Sequence, residues 1–350
     1  MSNEEIDLAT LRDSFREVLT DSLPFEALLN ASKTSPALWA QITDLGWPGL
    51  AIGQEHGGLG LGFDALGLLY EEIGRTLAPL PFLPTMLVAE AIARGGSAHQ
   101  QVEWLPRLAS GTVIASLTLP GDAPTVRATR EGDELVLNGS AWNLLDGAQC
   151  GLLLVAVLIE GEVCRVLIDG QDATAVHCFD LTRSLARVDL EGICLPAANL
   201  LPRSVEASLA EHASIALACE AVGGAERILE ITLDYLKTRQ QFGRVIGSFQ
   251  ALKHRAANHK TDIVAISALT REAAAMRARG EDVGLEASAA KAYACDVYAK
   301  LARDAIQLHG GIGVTWEHIC HLYLKRAKLS EALYGTTAQH LDALTKRLAA

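Results

Sequence analysis

The sequence predicts a mostly α-helical protein with a β insert: an N-terminal helical domain (residues 1–111), a middle antiparallel β domain (112–202) and a C-terminal four-helix bundle (203–350). Three observations support this order. Apolar residues recur at helical spacing over the first hundred residues. Short β-branched or apolar runs separated by turn residues follow from about residue 112, and long Ala- and Leu-rich helical patterns return from about residue 204.

In the N-terminal part, Ser35 and Pro36 predict a helix start, since serine caps helices and proline suits the first helical position. Gly46 predicts the end of that helix. A further helix is expected over residues 64–74. The next is expected near residues 85–94, because prolines at 79, 81 and 84 interrupt the chain before it.

The middle part predicts short strands joined by tight turns. Glu160-Gly161 fits a hairpin, and Asn138-Gly139 fits another turn, because glycine tolerates the positive φ that such turns require. The expected strands are residues 112–118, 134–138, 151–159, 163–168 and 186–190, and the β domain should end near Pro196.

The C-terminal part predicts four long helices that form a bundle, because short glycine-containing turns separate them. The expected helices are residues 205–239, 247–279, 284–309 and 319–348, with a break in the last near Gly335.

Composition narrows the function classes. The chain has 350 residues and a formal net charge of −12, which argues against a nucleic-acid-binding protein. The N-terminus lacks the order of a signal peptide, and the longest apolar run, Leu152–Ile159, is too short for a membrane span. Seven cysteines without a CxxC pair favour reduced thiols. These features predict an acidic cytoplasmic protein that does not enter a membrane.

A basic segment stands out within this acidic chain. Residues 237–260 contain six Lys or Arg and no acidic residue, a pattern typical either of an anion site or of a solvated helix face. Arg239 lies in the sequence RQQFG at the expected end of a helix, where its guanidinium suits a phosphate or its own helix dipole. Phe242 of the same segment could pack against a ring.

Two other patterns are weaker. Gln307, Gly310 and Gly311 belong to QLHGGIG, where glycines allow close approach of a ligand or simply end a helix. His318 and His321 flank Cys320, but no third ligand stands at a metal-binding spacing, so no metal site is expected.

Taken together, the helical–β–helical order, RQQFG, QLHGGIG and the later RAK and YGT segments resemble the acyl-CoA dehydrogenase family over nearly the whole chain. The resemblance implies FAD at a subunit interface, an acyl-CoA substrate and an electron-transferring flavoprotein as the electron acceptor. It also implies FAD contacts from Arg239, Phe242, Gln307, Gly310, Gly311, Thr336 and Trp142.

The family's reaction, α,β-desaturation of an acyl-CoA thioester, needs a base for the α-proton. The resemblance places the usual glutamate at Tyr334 or, after a slip of one residue, at Gly335. Its alternative position on the earlier helix corresponds to Ala213. None of these residues is a carboxylate, and residues 118–125 (TLPGDAPT) replace the family's flavin-contacting TEPxAGSD.

These departures resemble the short partner subunit of heterotetrameric, steroid side-chain type acyl-CoA dehydrogenases. The sequence therefore predicts a subunit that lacks its own base and completes the FAD site of a homologous, Glu-bearing neighbour. The alternative is a self-sufficient homo-oligomer with a displaced base, for which Glu331 is the main candidate and Glu220 and Glu211 are the others. A remote alternative is a structural or nucleic-acid-binding relative of the fold.

Overall fold

The computed structural model describes residues 7–29, 35–119 and 123–349. They form two compact units that interleave along the chain. Unit 1 comprises residues 1–30, 62–78 and 214–350, and unit 2 comprises residues 31–61 and 79–213. None of the helices in the described part of the chain combines the length and apolar character that crossing a membrane requires.

The helices follow the expected order. In the N-terminal part they are α1 (Leu8–Ser22), α2 (Phe25–Leu29), α3 (Pro36–Asp44), α4 (Phe63–Thr76), α5 (Phe82–Gly95) and α6 (Ala98–Ala109). In the C-terminal part they are α7 (Glu206–Thr238), α8 (Gln250–Ala278), α9 (Gly284–His309), α10 (Cys320–Ala332) and α11 (Thr337–Leu348).

Several helix boundaries agree with the sequence signals. Ser35 is the N-cap of α3, Pro36 begins it, and Gly46 follows it at φ 74°. The break expected near Gly335 separates α10 from α11, so the described residues of the C-terminal part form five helices rather than four. The start predicted for α5 was wrong, because Pro84 lies inside its first turn, where a proline costs no intrahelical hydrogen bond.

In unit 1, α9 packs against α8, α10 and α11, while α4 packs against α1 and α8. The backbones of α4 and α7 come very close, and glycine makes this approach possible. A Cβ atom at Gly223 would lie 1.8 Å from the Glu71 carbonyl oxygen, and one at Gly74 would lie 2.0 Å from the Glu220 carbonyl oxygen. Any larger residue at either position would force the two helices apart.

Unit 2 contains the β sheet. Its strands are β1 (Ala115–Leu117), β2 (Val126–Glu131), β3 (Glu134–Leu145), β4 (Leu152–Ile159), β5 (Glu162–Asp169), β6 (Thr174–Val176), β7 (Leu185–Asp189) and β8 (Ile193–Pro196). The main path is β1-β4-β2-β3-β7-β6, and β5 and β8 pair with β4 and β3. Buried Leu, Val and Ala side chains from these strands form one core.

The sheet corrects two expectations. It is mixed rather than antiparallel, because β4 pairs in parallel with both β1 and β2. The turn predicted at Asn138-Gly139 is wrong, since β3 runs straight through both residues. The actual turn between β2 and β3 lies at Gly132, which has φ 65° and supplies the same conformational freedom. The β4–β5 hairpin at Glu160-Gly161 is confirmed, with φ 50° and 91°.

Candidate functional site

The chain folds into a short hairpin directly after α7. Two residues on each side pair antiparallel, Gln241 with Arg244 and Gln240 with Val245. We call residues 239–245 the arginine hairpin. Its turn, Phe242-Gly243, has φ 54° and 74°, so both turn residues are left-handed, as tight two-residue hairpins require. Glycine adopts this conformation freely, but for phenylalanine it is strained.

The strained residue is also the most exposed aromatic side chain of the described chain. Phe242 is 90% exposed and meets Phe249 edge-on, with ring centroids 6.2 Å apart. The Arg244 guanidinium covers the Phe249 ring at 3.9 Å. Arg239 is also exposed. The turn therefore presents an apolar ring and a cationic group that unit 1 itself does not bury.

The glycines predicted as a contact segment lie at the end of α9, and we call residues 310–313 the glycine loop. Gly310 has φ 66° and ψ −143°, a conformation essentially restricted to glycine. A Cβ atom at Gly310 or Gly311 would meet no atom of the described chain within 4 Å, and Gln307 is exposed beside them. This backbone therefore leaves room for a group from outside the chain.

The arginine hairpin and the glycine loop are joined within unit 1 by Tyr235, which the sequence analysis did not single out. Tyr235 stacks on the His309 ring with centroids 4.4 Å apart, and its hydroxyl donates to the His309 carbonyl oxygen at 3.3 Å. Its own carbonyl accepts from the Arg239 N–H at 2.9 Å. The two predicted contact segments thus lie at one end of the helical unit.

A cluster of histidines and a thiol lies beneath the glycine loop. The ring of His309 is 4.4 Å from that of His318, and its Nδ1 is 3.5 Å from the Cys320 sulfur. Burial lowers the pKa of both imidazoles and raises the pKa of the thiol to about 12. The sequence-based pairing of His318 with His321 is not the one that forms the compact group, which instead contains His309, His318 and Cys320.

The loop between α10 and α11 contains Tyr334 and Gly335, the positions at which the sequence resemblance places a catalytic glutamate. Tyr334 is buried at φ 56°, and Gly335 has φ 100°. The buried Lys291 ammonium donates to the carbonyl oxygens of Ser330 at 2.7 Å and Gly335 at 3.3 Å. Thr336 forms a capping box with Gln339, so its hydroxyl stabilises the start of α11. The loop thus has a well-defined structure but contains no carboxylate.

The three glutamates considered as alternative bases have different surroundings. Glu331 is half-buried on α10, with its Oε2 2.7 Å from the Lys328 ammonium. Glu220 is almost fully buried, and its Oε2 lies 3.4 Å from the Arg326 guanidinium. In unit 2, Ala213 is fully buried and Glu211 is half-buried. Because burial and ion pairing commit Glu220 to the helical core, Glu331 is the more accessible candidate base.

Trp142 lies in unit 2, at a break in the pairing of β3 with β7. The ring is 47% exposed, with the Arg187 guanidinium 5.2 Å from its centroid, and the next residue, Asn143, has φ 58°. The cavity beside it, the Trp142 pocket, has a volume of about 80 Å³ and is lined by Thr118, Ala123, Pro124, Thr125, Trp142, Asn143 and Ala156. Pockets for drug-sized ligands usually have at least about 300 Å³.

The two threonine hydroxyls of this pocket are already hydrogen-bonded within unit 2: that of Thr125 donates to the Ser140 carbonyl oxygen at 2.6 Å. The Thr118 hydroxyl accepts from the Ala156 N–H and from the buried Arg165 guanidinium, each at 2.8 Å. Arg165 is held in turn by Glu206. Of the divergent TLPGDAPT stretch, Pro120, Gly121 and Asp122 lie outside the described residues.

Family models match both helical parts of the chain. Residues 6–112 match the acyl-CoA dehydrogenase N-terminal domain, and residues 204–349 match the acyl-CoA dehydrogenase C-terminal domain. The acyl-CoA dehydrogenase IpdE2 of Mycobacterium tuberculosis is 34% identical over 88% of this chain and 85% of its own length.

Solved structures agree. The ChsE4-ChsE5 complex from Mycobacterium tuberculosis matches with a TM-score of 0.91 and 26% identity, over 100% of this chain and 98% of that one. A steroid ACAD variant, Tcur3481-Tcur3483, matches with a TM-score of 0.89 and 28% identity, over 98% of this chain and 97% of that one. With its helical, β and helical parts in this order, the chain belongs to the acyl-CoA dehydrogenase family, whose members are FAD-dependent oxidoreductases.

Proposed function

We propose that this chain is a partner subunit of a hetero-oligomeric acyl-CoA dehydrogenase, and that it completes the FAD site of a homologous subunit that carries the base. The observation that carries the proposal is a contrast within unit 1. The arginine hairpin is exposed, whereas the loop between α10 and α11 contains no carboxylate. Two of the matched structures bear paired names, the ChsE4-ChsE5 complex and the steroid ACAD Tcur3481-Tcur3483.

The residues at this end of unit 1 fit a bound FAD. The exposed Arg239 guanidinium would pair with a pyrophosphate oxygen, since its fork of donors suits phosphate. Phe242 would pack on the outside of the cofactor, and Gln307 would donate or accept a hydrogen bond at its adenosine half. The open positions at Gly310 and Gly311 support a close approach of backbone to ligand.

The chemistry of the reaction then divides between two chains. A bound FAD would supply the hydride acceptor for the substrate β-carbon. In our proposal a glutamate of the homologous subunit takes the α-proton, because neither Tyr334 nor Gly335 supplies a carboxylate. This chain positions the cofactor. Its Lys291 and the Thr336 cap keep the loop between α10 and α11 folded.

The composition of the proposed assembly follows from the family. Its substrate is an acyl-CoA thioester, and the steroid ACAD among the matched structures supports a steroid side-chain thioester. An electron-transferring flavoprotein would reoxidise the cofactor. The domain boundaries at residues 111 and 202, and the FAD contacts of Arg239, Phe242, Gln307, Gly310 and Gly311, belong to the same proposal.

The test is co-expression of this chain with a Glu-bearing homologue. We expect a yellow complex that desaturates acyl-CoA. Arg239→Ala should weaken FAD binding about 10- to 100-fold, because a charge-assisted hydrogen bond to phosphate is worth roughly 1.5–3 kcal/mol. Bound FAD is measured by flavin absorbance after dialysis. Arg279→Ala is the matched control, since Arg279 is an exposed arginine on the same unit that pairs with Glu281.

Unchanged FAD content in the Arg239→Ala complex would contradict the proposed contact. The main rival is a self-sufficient homo-oligomer in which Glu331, near the end of α10 and three residues before Tyr334, acts as the base. Dehydrogenase activity of the purified chain alone, lost in Glu331→Gln, would favour that rival over a partner role.

A further inference from the structure

The cluster of His309, His318 and Cys320 has no part in the proposed function. Each residue offers one potential ligand atom, and these three atoms lie within 4.8 Å of one another. They come from a stretch of chain that leaves α9 and enters α10, with the glycine loop between them. Two imidazoles and one thiol are the ligand types that zinc prefers.

His309 is held in the manner of a metal-binding histidine. Its ring is only 3% exposed, and Nδ1 lies 2.8 Å from the Ala305 carbonyl oxygen, to which it donates. Nε2 is buried without a hydrogen-bond partner among the described residues. Metal-binding histidines characteristically donate one ring N–H to a carbonyl or carboxylate, which leaves the other nitrogen free to coordinate. A buried nitrogen with an unused lone pair otherwise costs stability.

The other two groups are close to this ring. The Cys320 sulfur lies 3.5 Å from its Nδ1, and the Cys320 N–H donates to Nδ1 of His318 at 3.3 Å. The three candidate ligand atoms lie within 4.8 Å of one another, and sulfur and nitrogen ligands of a tetrahedral zinc ion are separated by roughly 3.5 Å. Small rotations of the three side chains would therefore bring their ligand atoms onto one ion.

We propose that His309, His318 and Cys320 bind a zinc-class divalent ion. A thiolate and two imidazoles favour Zn²⁺ over Mg²⁺ or Ca²⁺, which prefer oxygen ligands. As the metal–sulfur bond forms, the Cys320 thiol releases its proton to solvent. The ion ties the end of α9 to the start of α10 and so fixes the glycine loop between them.

The experiment uses the purified full chain after treatment with a chelator, titrated with Co²⁺ and then with Zn²⁺. We expect one equivalent of Co²⁺ to bind with a thiolate-to-cobalt charge-transfer band, which Zn²⁺ then abolishes by displacement. Cys320→Ser should remove the band. His318→Ala should weaken Co²⁺ binding at least about tenfold, which is roughly 1.4 kcal/mol.

His318 is half-buried, so its variant retains a readout even where Cys320→Ser fails to fold, and circular dichroism checks both. The matched control combines Cys194→Ser with His254→Ala, an exposed thiol and an exposed imidazole that lie outside the cluster, and should bind Co²⁺ as the parent does. Absence of the band in the folded parent chain, or its persistence in Cys320→Ser, would overturn the proposal. Neither readout depends on FAD or on dehydrogenase activity.

Discussion

The arginine hairpin of unit 1 and the Trp142 pocket of unit 2 differ in whether their side chains are exposed or already bonded within their own unit. The hairpin keeps Arg239 and Phe242 exposed on a turn with two left-handed residues. In the pocket, the Thr118 hydroxyl is occupied by Ala156 and Arg165, and the cavity is only about 80 Å³. The sequence resemblance predicts flavin contacts for both regions.

This difference indicates which contacts the chain has retained. An exposed, strained phenylalanine costs stability and buries little surface in its own unit, so its presence favours a ligand or a subunit that covers it. A side chain whose hydrogen bonds are satisfied internally imposes no such requirement. The comparison therefore predicts that substitutions at the hairpin end of unit 1 affect FAD binding far more than substitutions at the Trp142 pocket.

The largest effect is expected for Gly311→Leu. Its side chain would enter space that the described chain leaves empty, so the free chain should keep its stability while the complex loses FAD affinity by about 100-fold. Flavin absorbance of the dialysed complex and urea unfolding of the free chain measure the two quantities. Normal FAD content in this variant would show that no ligand approaches the glycine loop.

Gly310→Ala, in contrast, should lower the stability of the free chain. Because Gly310 has φ 66° and ψ −143°, alanine there is strained, and we expect the free energy of unfolding to fall by about 1–3 kcal/mol. Gly311→Ala is the control, expected within about 0.5 kcal/mol of the parent, since Gly311 has no positive φ. Equal stability of the two alanine variants would contradict the conformational role of Gly310.

The smallest effect is expected for Trp142→Ala. Loss of the contact with the Arg187 guanidinium should lower the free energy of unfolding by about 0.5–1 kcal/mol. The FAD content of the complex should change less than about twofold. A loss of FAD comparable to that of Arg239→Ala would break the comparison, because it would make the Trp142 pocket a working part of a flavin site.

The sequence predicted much of the fold because its signals are local. Helix α9 was expected and observed at residues 284–309, since apolar spacing and flanking glycines define it. The break near Gly335 and the Glu160-Gly161 hairpin were correct for the same reason. Where two local readings competed, as at Asn138-Gly139, strand pairing with β8 and β7 on either side overrode the turn signal.

The candidate site was only partly predictable. Arg239 belongs to one short sequence motif, and Gln307 and Gly311 belong to another, so each could be recognised from sequence. Tyr235 belongs to neither motif. Its stacking on His309 depends on how α7 and α9 pack. His309, the third candidate metal ligand, was missed likewise, because the glycine loop separates it from His318, and linear spacing alone does not show that the loop folds back.

The sequence alone determined the order of helical and β parts, the family resemblance and the absence of a carboxylate at residues 334, 335 and 213, because these depend on residue identity and short-range periodicity. Only the tertiary structure decided that Glu220 is committed to a buried ion pair, that Phe242 is exposed on a left-handed turn, and that a thiol meets two imidazoles beneath the glycine loop. The physical reason is that burial and proximity arise from contacts between segments distant in sequence, which local patterns do not encode.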